Sequence, residues 1–290
     1  MTALHLEPLE RPARVSEALV FWALLRRDLR VARRELLAVL VRVALQPLLF
    51  VTVFGALLPR MGFVQRSYGA ALLPGILAIS LAMSSIQSVA LQMVADFGWT
   101  REIEDRLLAP VPIHLVALEK VIFGVVQGTI AALFVLPIAR LIMGPIAGLT
   151  VAHAGAVLTV TILGAASFSL LGLLIGTAIS PQQIGLMFSV IIAPMIFFGC
   201  AYYPWKGLAV APVLQYAVLV NPLVYVSEGM RGALTPALPH MGLGVVTLAL
   251  AVICALCWYF GFRRAIYFSR VSCAVPVMHK AFEPLWRKLP

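Results

Sequence analysis

The sequence predicts an all-α integral membrane protein, and two properties of its composition support this fold class. Of the 290 residues, 62% are hydrophobic and only 12% are charged, whereas a soluble domain is about 45–50% apolar and about 25% charged. The apolar residues also form uncharged runs of the length that a helix needs to cross a bilayer, about 20 residues. These properties exclude a soluble enzyme, a disordered chain and a disulfide-rich scaffold.

The uncharged runs divide the chain into six predicted transmembrane helices. The run from Leu141 to Trp205 is too long for one crossing, and we divide it at Ser180-Pro181 because proline beside polar residues is typical of a turn. The transmembrane domain at 36–262 then lies between an N-terminal segment at 1–35 and a basic tail at 263–290. Its predicted spans are residues 36–58, 69–94, 121–143, 150–178, 184–201 and 241–262.

The distribution of basic residues predicts the orientation of these spans. Of the 22 Lys and Arg residues, 17 lie in the N-terminal segment through Arg42, in the loop 95–120 or in the tail after Phe262. Cytoplasmic segments of membrane proteins carry an excess of Lys and Arg, so we expect both termini in the cytoplasm. The net charge of +10 is therefore assigned to topology and docking, and we expect no nucleic-acid partner.

Residues 202–240 are expected to form an external re-entrant region between spans five and six. The stretch Gly207–Val220 is short for a crossing, and a seventh span would carry the basic tail to the outside. We therefore predict two short half-helices that are broken at Asn221-Pro222.

The N-terminal segment contains a predicted amphipathic helix at the membrane interface. Trp22, Leu25 and Leu29 recur at helical spacing on one face. Arginines on the adjoining arc are expected to contact lipid phosphates of the cytoplasmic leaflet. The alternative is a topology anchor with no further role. The arginines are Arg26, Arg27, Arg30, Arg33 and Arg34.

The cytoplasmic loop 95–120 contains a predicted short helix that is suited to docking. Thr100 can cap it, acidic residues occupy its first turns, and Pro110 ends it. Such a short helix is suited to docking in the groove of another protein. The alternative is that the loop is an ordinary solvated connector. The predicted docking residues are Thr100, Arg101, Glu102, Ile103, Glu104, Asp105, Arg106, Leu107, Leu108 and Pro110.

The second predicted span carries a polar stripe, which should face the helix bundle rather than lipid. Hydrogen bonding between helices is the first interpretation, and lining of a transport pathway is the second. The stripe consists of Ser80, Ser84, Gln87, Ser88 and Gln92. Two small-residue motifs, Gly124xxxGly128 and Gly172xxxGly176, are interpreted as sites of close helix packing.

Two missing features and a shortage of acid-base groups bear on the class of function. No Asp, Glu or Lys lies deep in a predicted span, which argues against a proton- or sodium-coupled transporter. None of the four lysines follows a glycine, so the chain lacks the phosphate-binding loop of an ATPase. Glu228 and His240 are the sole external candidates for acid-base chemistry. We therefore predict no catalytic residue, no metal site and no cofactor in this chain.

Two motifs resemble those of the membrane subunits of type 2 ABC exporters, the ABC-2 permeases. The loop WTREIEDRLLAPVPIHLVALEK follows the second span, and NPLVYVSEGMR precedes the sixth. The positions that fit the family pattern are Arg101, Glu102, Leu107, Leu108, Pro110, Pro112 and Lys120 in the loop, and Asn221, Pro222, Leu223 and Arg231, with Tyr225 between them, in the external region. The basic tail departs from the family by its length.

The resemblance implies a bacterial exporter of the cytoplasmic membrane. The permease would pair with a second copy or a close relative and with two cytosolic ATPase subunits, which bind ATP and Mg²⁺. Residues 100–109 would be the coupling helix that is docked on the ATPase. The cargo would be an amphipathic, lipid-linked, polysaccharide or drug-like molecule. The alternatives are a nucleotide-independent channel or facilitator, and a membrane enzyme acting on lipid-linked substrates through Glu228 or His240.

Overall fold

The computed structural model describes residues 16–65, 68–98, 113–144 and 153–286, and these ranges hold helices and turns without a β-strand. The fold is all-α, as the composition predicts. The helices are α1 (Glu17–Phe50), α2 (Tyr68–Gly98), α3 (Ile113–Met143), α4 (Ala154–Gly176), α5 (Pro181–Phe197), α6 (Pro212–Ala217), α7 (Pro222–Leu234) and α8 (Leu243–Trp286).

Four of these helices contain apolar stretches long enough to cross a membrane. The stretches are Tyr68–Ala95, His114–Met143, Ala154–Gly176 and Leu243–Arg264, with 28, 30, 23 and 22 residues. They coincide with the predicted second, third, fourth and sixth spans. The predicted first and fifth spans overlap the shorter apolar helices Pro47–Arg60 and Pro181–Phe197. The chain is therefore an integral membrane protein of the all-α class, while the number of six crossings stays a prediction.

The N-terminal helix and the first predicted span form one continuous helix. α1 passes residue 35 without a break and continues as the π-helix Val51–Leu57 as far as Arg60. Pro47, inside α1, does not end the helix. The predicted boundary between an interface helix and a separate span at residue 35 is thus not a helix end, because no glycine or proline occurs there to interrupt the hydrogen bonds.

α2 lies at the centre of the bundle and packs against α3, α4 and α7. Its most apolar stretch is 89% buried, whereas that of α8 is 11% buried. The predicted glycine motifs are confirmed as packing sites. A Cβ atom on Gly124 would lie 2.6 Å from a side-chain atom of Val89, and one on Gly172 would lie 2.9 Å from the carbonyl oxygen of Ile86. Glycine is required at both positions because α2 approaches so closely.

Between α5 and α8 the chain forms several short helical segments. The turn of 3₁₀ helix Trp205–Val210 leads into α6, and a further 3₁₀ turn, Val218–Val220, leads to α7. The chain leaves helical geometry at Asn221, whose φ of −84° and ψ of 117° are extended. The break therefore occurs at the predicted Asn-Pro step, since proline disfavours the helical conformation of the residue before it.

Candidate functional site

The C-terminal end of α5 is held by a group of side chains that we call the external network, because the sequence predicts that this region lies outside the cell. Helix ends leave backbone carbonyls without intrahelical donors, and four side chains donate to carbonyls between Met195 and Cys200. The donors and acceptors are Asn221 Nδ2 to Met195 (2.7 Å), Tyr203 Oη to Phe197 (3.0 Å), Ser227 Oγ to Gly199 (2.8 Å) and Arg231 Nη2 to Cys200 (3.1 Å). Three of the four donors belong to α7 or its cap.

Asn221 serves two helices at once. Its Oδ1 accepts a hydrogen bond from the backbone N–H of Leu223 at 2.9 Å and so caps α7, while its Nδ2 donates to α5. Pro222 occupies the first turn of α7, where no backbone N–H is needed. Leu223 is fully buried. Tyr225 donates from its hydroxyl to the carbonyl of Leu219 at 2.9 Å, which closes the turn before α7.

Glu228 and Arg231 form a fully buried ion pair at the centre of this network. Glu228 Oε1 also accepts from the backbone N–H of Trp205 at 2.8 Å, and its Oε2 accepts from that of Met241 at 2.9 Å. Arg231 Nη2 additionally donates to the carbonyl of Ala71 in α2 at 3.4 Å. The pair thus joins α2, α7 and the segments on both sides of α7.

The partners of Glu228 bear on the alternative of a membrane enzyme. Its two carboxylate oxygens accept from Arg231 and from two backbone N–H groups, and none of its surface is exposed. A general acid or base must reach the proton that it transfers, and Glu228 is enclosed. His240, the other candidate, contacts the carbonyl of Met241 through Nδ1 at 2.7 Å. The geometry therefore gives Glu228 a structural role.

Another buried ion pair joins α1 to α3. We call it the cytoplasmic pair, because the sequence predicts that this end of the bundle faces the cytoplasm. Lys120 Nζ lies 2.6 Å from Asp28 Oδ2, and the two residues are only 3% and 8% exposed. Arg27 Nε lies 3.1 Å from Asp28 Oδ1, and Glu119 lies 3.8 Å from Lys120. Burial by itself raises the pKa of Asp28, but Lys120 and Arg27 outweigh it and hold that pKa below the ordinary value.

The predicted docking residues 100–110 lie outside the described residues. The structure describes the helices that flank them, since α2 ends at Gly98 and α3 begins at Ile113. Lys120 lies about two turns into α3. The cytoplasmic pair therefore fixes α1 to the helix that directly follows the predicted docking segment.

The predicted interface residues of α1 lie mainly on its exposed surface. Trp22 and Leu29 are 65% and 47% exposed, Leu25 is half-buried, and Arg26, Arg27, Arg30 and Arg33 are exposed. Asp28 occupies the buried side of the same helix. Contact of the exposed side with lipid headgroups stays a prediction.

The polar stripe of α2 faces the bundle interior, but the hydrogen bonds described for it stay within the helix. Ser80 and Ser88 donate to the carbonyls of Ile76 (2.9 Å) and Ser85 (3.0 Å), as serine in a helix commonly does. Ser84 Oγ and Gln92 Oε1 are buried and have no hydrogen-bond partner among the described residues. Gln87 is half-buried. The prediction that the stripe lines a pathway is untested.

Comparison with known proteins supports a transport function. The family described as "ABC-2 type transporter" matches residues 20–235. The chain is 31% identical over 189 residues to the inner membrane transport permease YadH of Escherichia coli strain K12, and the match covers 63% of this chain and 70% of YadH. YadH of Escherichia coli O157:H7 and of Shigella flexneri matches to the same extent.

The matched family region begins in α1 and ends just after α7. It includes the cytoplasmic pair, Asn221 and the Glu228–Arg231 pair. The family match covers more than half of the chain, and the relatives are named transport permeases. This chain belongs to the ABC-2 type transporter family and is a permease subunit of the inner membrane.

Proposed function

We propose that the chain is the membrane half of an ATP-driven exporter. Two copies, or one copy and a close relative, would assemble with two cytosolic ATPase subunits that bind ATP and Mg²⁺. Six spans would place both termini in the cytoplasm and the external network outside, as the distribution of basic residues predicts. Residues 100–109 would form the coupling helix that is seated on the ATPase.

The observation that carries this proposal is the position of the cytoplasmic pair. Asp28 and Lys120 are 92 positions apart in sequence, yet they are 2.6 Å apart and nearly buried. Moving α1 and α3 apart would separate these two charges in a buried place, which is unfavourable. A displacement of residues 100–109 by the ATPase would act on α2 and α3, the two helices that flank the segment, and the pair would transmit the movement of α3 to α1.

The aromatic residues of the external region bear on the cargo. Sugar-binding paths present aromatic faces, but Tyr203, Trp205 and Tyr225 are partly buried and donate to backbone carbonyls of the same region. Tyr216 is the exposed one, at 67%. Together with the apolar spans, this favours an amphipathic or lipid-like cargo over a long hydrophilic glycan.

Charge reversal in the docking segment tests the proposal. The permease should co-purify with a P-loop ATPase, and Glu102→Arg or Leu108→Asp should remove cargo-stimulated ATP hydrolysis by about tenfold or more while membrane insertion is unchanged. Glu283→Arg is the matched control, because it reverses an acid in the predicted cytoplasmic tail outside the docking segment. Full stimulated hydrolysis in the Glu102 and Leu108 variants would contradict the coupling role.

Reconstitution of the chain alone separates export from the channel alternative. Liposomes that contain the purified permease without an ATPase should show no cargo flux above protein-free liposomes. Flux that saturates with cargo and needs no nucleotide would assign the chain to the facilitators instead.

A further inference from the structure

A groove of about 530 Å³ runs between α3 and α4, with Leu234 of α7 at its floor. Its walls are almost wholly apolar. α3 contributes Leu133, Leu136 and Pro137, and α4 contributes Val157 and Leu158. A groove of this volume holds a ligand of the size of a drug or a lipid chain.

The groove opens sideways, toward the surface that a bilayer would cover. Leu133 and Leu158 line it and are still 53% and 56% exposed, and Leu141 beside it is 83% exposed. Water would be an unfavourable neighbour for such a surface, because each exposed apolar side chain forgoes its transfer free energy. The occupant of the groove therefore enters from the hydrocarbon region.

The length of the groove matches one leaflet. Its lining on α3 extends from Thr129 to Arg140, and at 1.5 Å per residue this corresponds to about 16 Å. Half of a hydrocarbon core about 30 Å thick is about 15 Å. One extended acyl chain thus fits along the groove.

Arg140 places a cation at one end of this apolar groove. It lies in the last turn of α3 and is exposed. Within the described part of the chain, no acidic side chain lies within ion-pair distance of it, and it is the one charged residue of the lining. A guanidinium at the edge of the hydrocarbon region matches a phosphate in both charge and hydrogen-bonding geometry.

We propose that this groove binds an anionic phospholipid from the leaflet at the Met143 end of α3. One acyl chain lies between α3 and α4, and the phosphodiester accepts hydrogen bonds from Arg140. The lipid is a resident ligand on the side of the bundle, away from both the cytoplasmic pair and the external network. The proposal requires neither ATP nor a partner subunit.

Lipid binding to the full chain tests this directly. The purified, delipidated protein in non-ionic detergent is titrated with phosphatidylglycerol and with phosphatidylcholine of the same acyl chains, and bound lipid is counted by native mass spectrometry. We expect the wild type to bind phosphatidylglycerol about fivefold more tightly, the preference that one basic residue gives for anionic lipid. Arg140→Gln should abolish the preference, and Arg140→Lys should retain part of it.

Two further variants make the result specific. Ala154→Phe fills the groove from the exposed first turn of α4 and should lower binding of both lipids by about tenfold. Arg60→Gln removes another exposed helix-terminal arginine and should change the affinity for neither lipid. Equal affinity of the wild type for the two lipids would overturn the proposal. So would an unchanged preference in Arg140→Gln, or loss of dimerisation rather than of lipid in Ala154→Phe, which would assign the groove to a second copy.

Discussion

The Glu228–Arg231 pair and the cytoplasmic pair of this permease differ in what they connect. Glu228 and Arg231 lie one turn apart on the same helix, are fully buried and are surrounded by backbone groups from α2, the Trp205 turn and the start of α8. Asp28 and Lys120 come from two long helices, and the half-exposed Arg27 lies beside them. The bonds described for the first pair include backbone groups of three segments, whereas the contacts described for the second pair are with side chains.

This difference indicates different mechanical roles. A charge pair that also satisfies several backbone groups can be broken only by disrupting all of them, so the external network is expected to move as a rigid unit. A pair that joins two helices through side chains can shift as the helices slide. The external network therefore resembles a fixed cap, and the cytoplasmic pair resembles a joint beside the proposed coupling segment.

The largest expected effect comes from removing the cation of the external pair. Arg231→Met leaves the Glu228 carboxylate buried without its cation and should cost about 3–5 kcal/mol. We expect a large fall in the midpoint of thermal unfolding in detergent and poor accumulation in the membrane. The double variant Glu228→Gln with Arg231→Met should recover part of this loss, because no charge remains unpaired.

Exposed Arg60 provides the control for that experiment, since Arg60→Met should change stability by less than about 0.5 kcal/mol. If Arg231→Met were as mild as the Arg60 variant, the network would not be a rigid cap.

An intermediate effect is expected at Asn221, where two substitutions separate its two hydrogen bonds. Asn221→Ala removes both the helix cap and the bond to Met195 and should cost about 2 kcal/mol. Asn221→Asp retains the acceptor for the Leu223 N–H but has no donor for the Met195 carbonyl. It should retain helix capping and still loosen the end of α5. Hydrogen exchange of α5 and α7 measures the two effects separately, and equal protection in both variants would contradict the double role.

The smallest effect on stability is expected at the cytoplasmic pair. Asp28→Asn should cost about 1–2 kcal/mol, because Lys120 keeps Glu119 at 3.8 Å and Arg27 stays exposed to water. We expect Asp28→Asn to lower cargo-stimulated ATP hydrolysis more strongly than it lowers stability. Exchanging the two charges, Asp28→Lys with Lys120→Asp, should restore part of the stability and part of the stimulated hydrolysis.

Low pH should remove the difference in stability between the wild type and the Asp28→Asn variant. Since the folded pKa of Asp28 lies below its ordinary value of 3.8, its stabilisation is present above that value and is lost as the pH falls through the lower folded pKa. The stability difference should be constant from neutral pH to about pH 5 and should shrink below pH 3.8. A difference that persists at lower pH would show that charge is not its cause.

Much of the fold is predictable because lipid imposes a simple rule. A helix that crosses a bilayer must be apolar and about 20 residues long, so the stretches in α2, α3, α4 and α8 are recognisable from residue type alone. The break at Asn221-Pro222 is predictable for a similarly local reason, since proline restricts the preceding residue.

The residues that join distant segments are harder to predict, because their partners depend on tertiary packing. Ser227 and Trp205 enter the external network through contacts with Gly199 and Glu228, which no local pattern specifies. Two weak signals do exist. Glu228 and Arg231 have the three-residue spacing of a helical ion pair, and Asp28 is an isolated acid among arginines. Continuity of α1 past residue 35 was likewise indicated by the lack of a helix-breaking residue there.

The sulfur of Cys200 lies within the external network, whose backbone carbonyl at that residue is held by Arg231. The residue is fully buried and has a φ of 51°. A maleimide reagent reaches a thiol only when the surrounding atoms move apart. Once Cys254, Cys257 and Cys273 have been replaced, the rate at which Cys200 is labelled during ATP turnover measures how often that region opens.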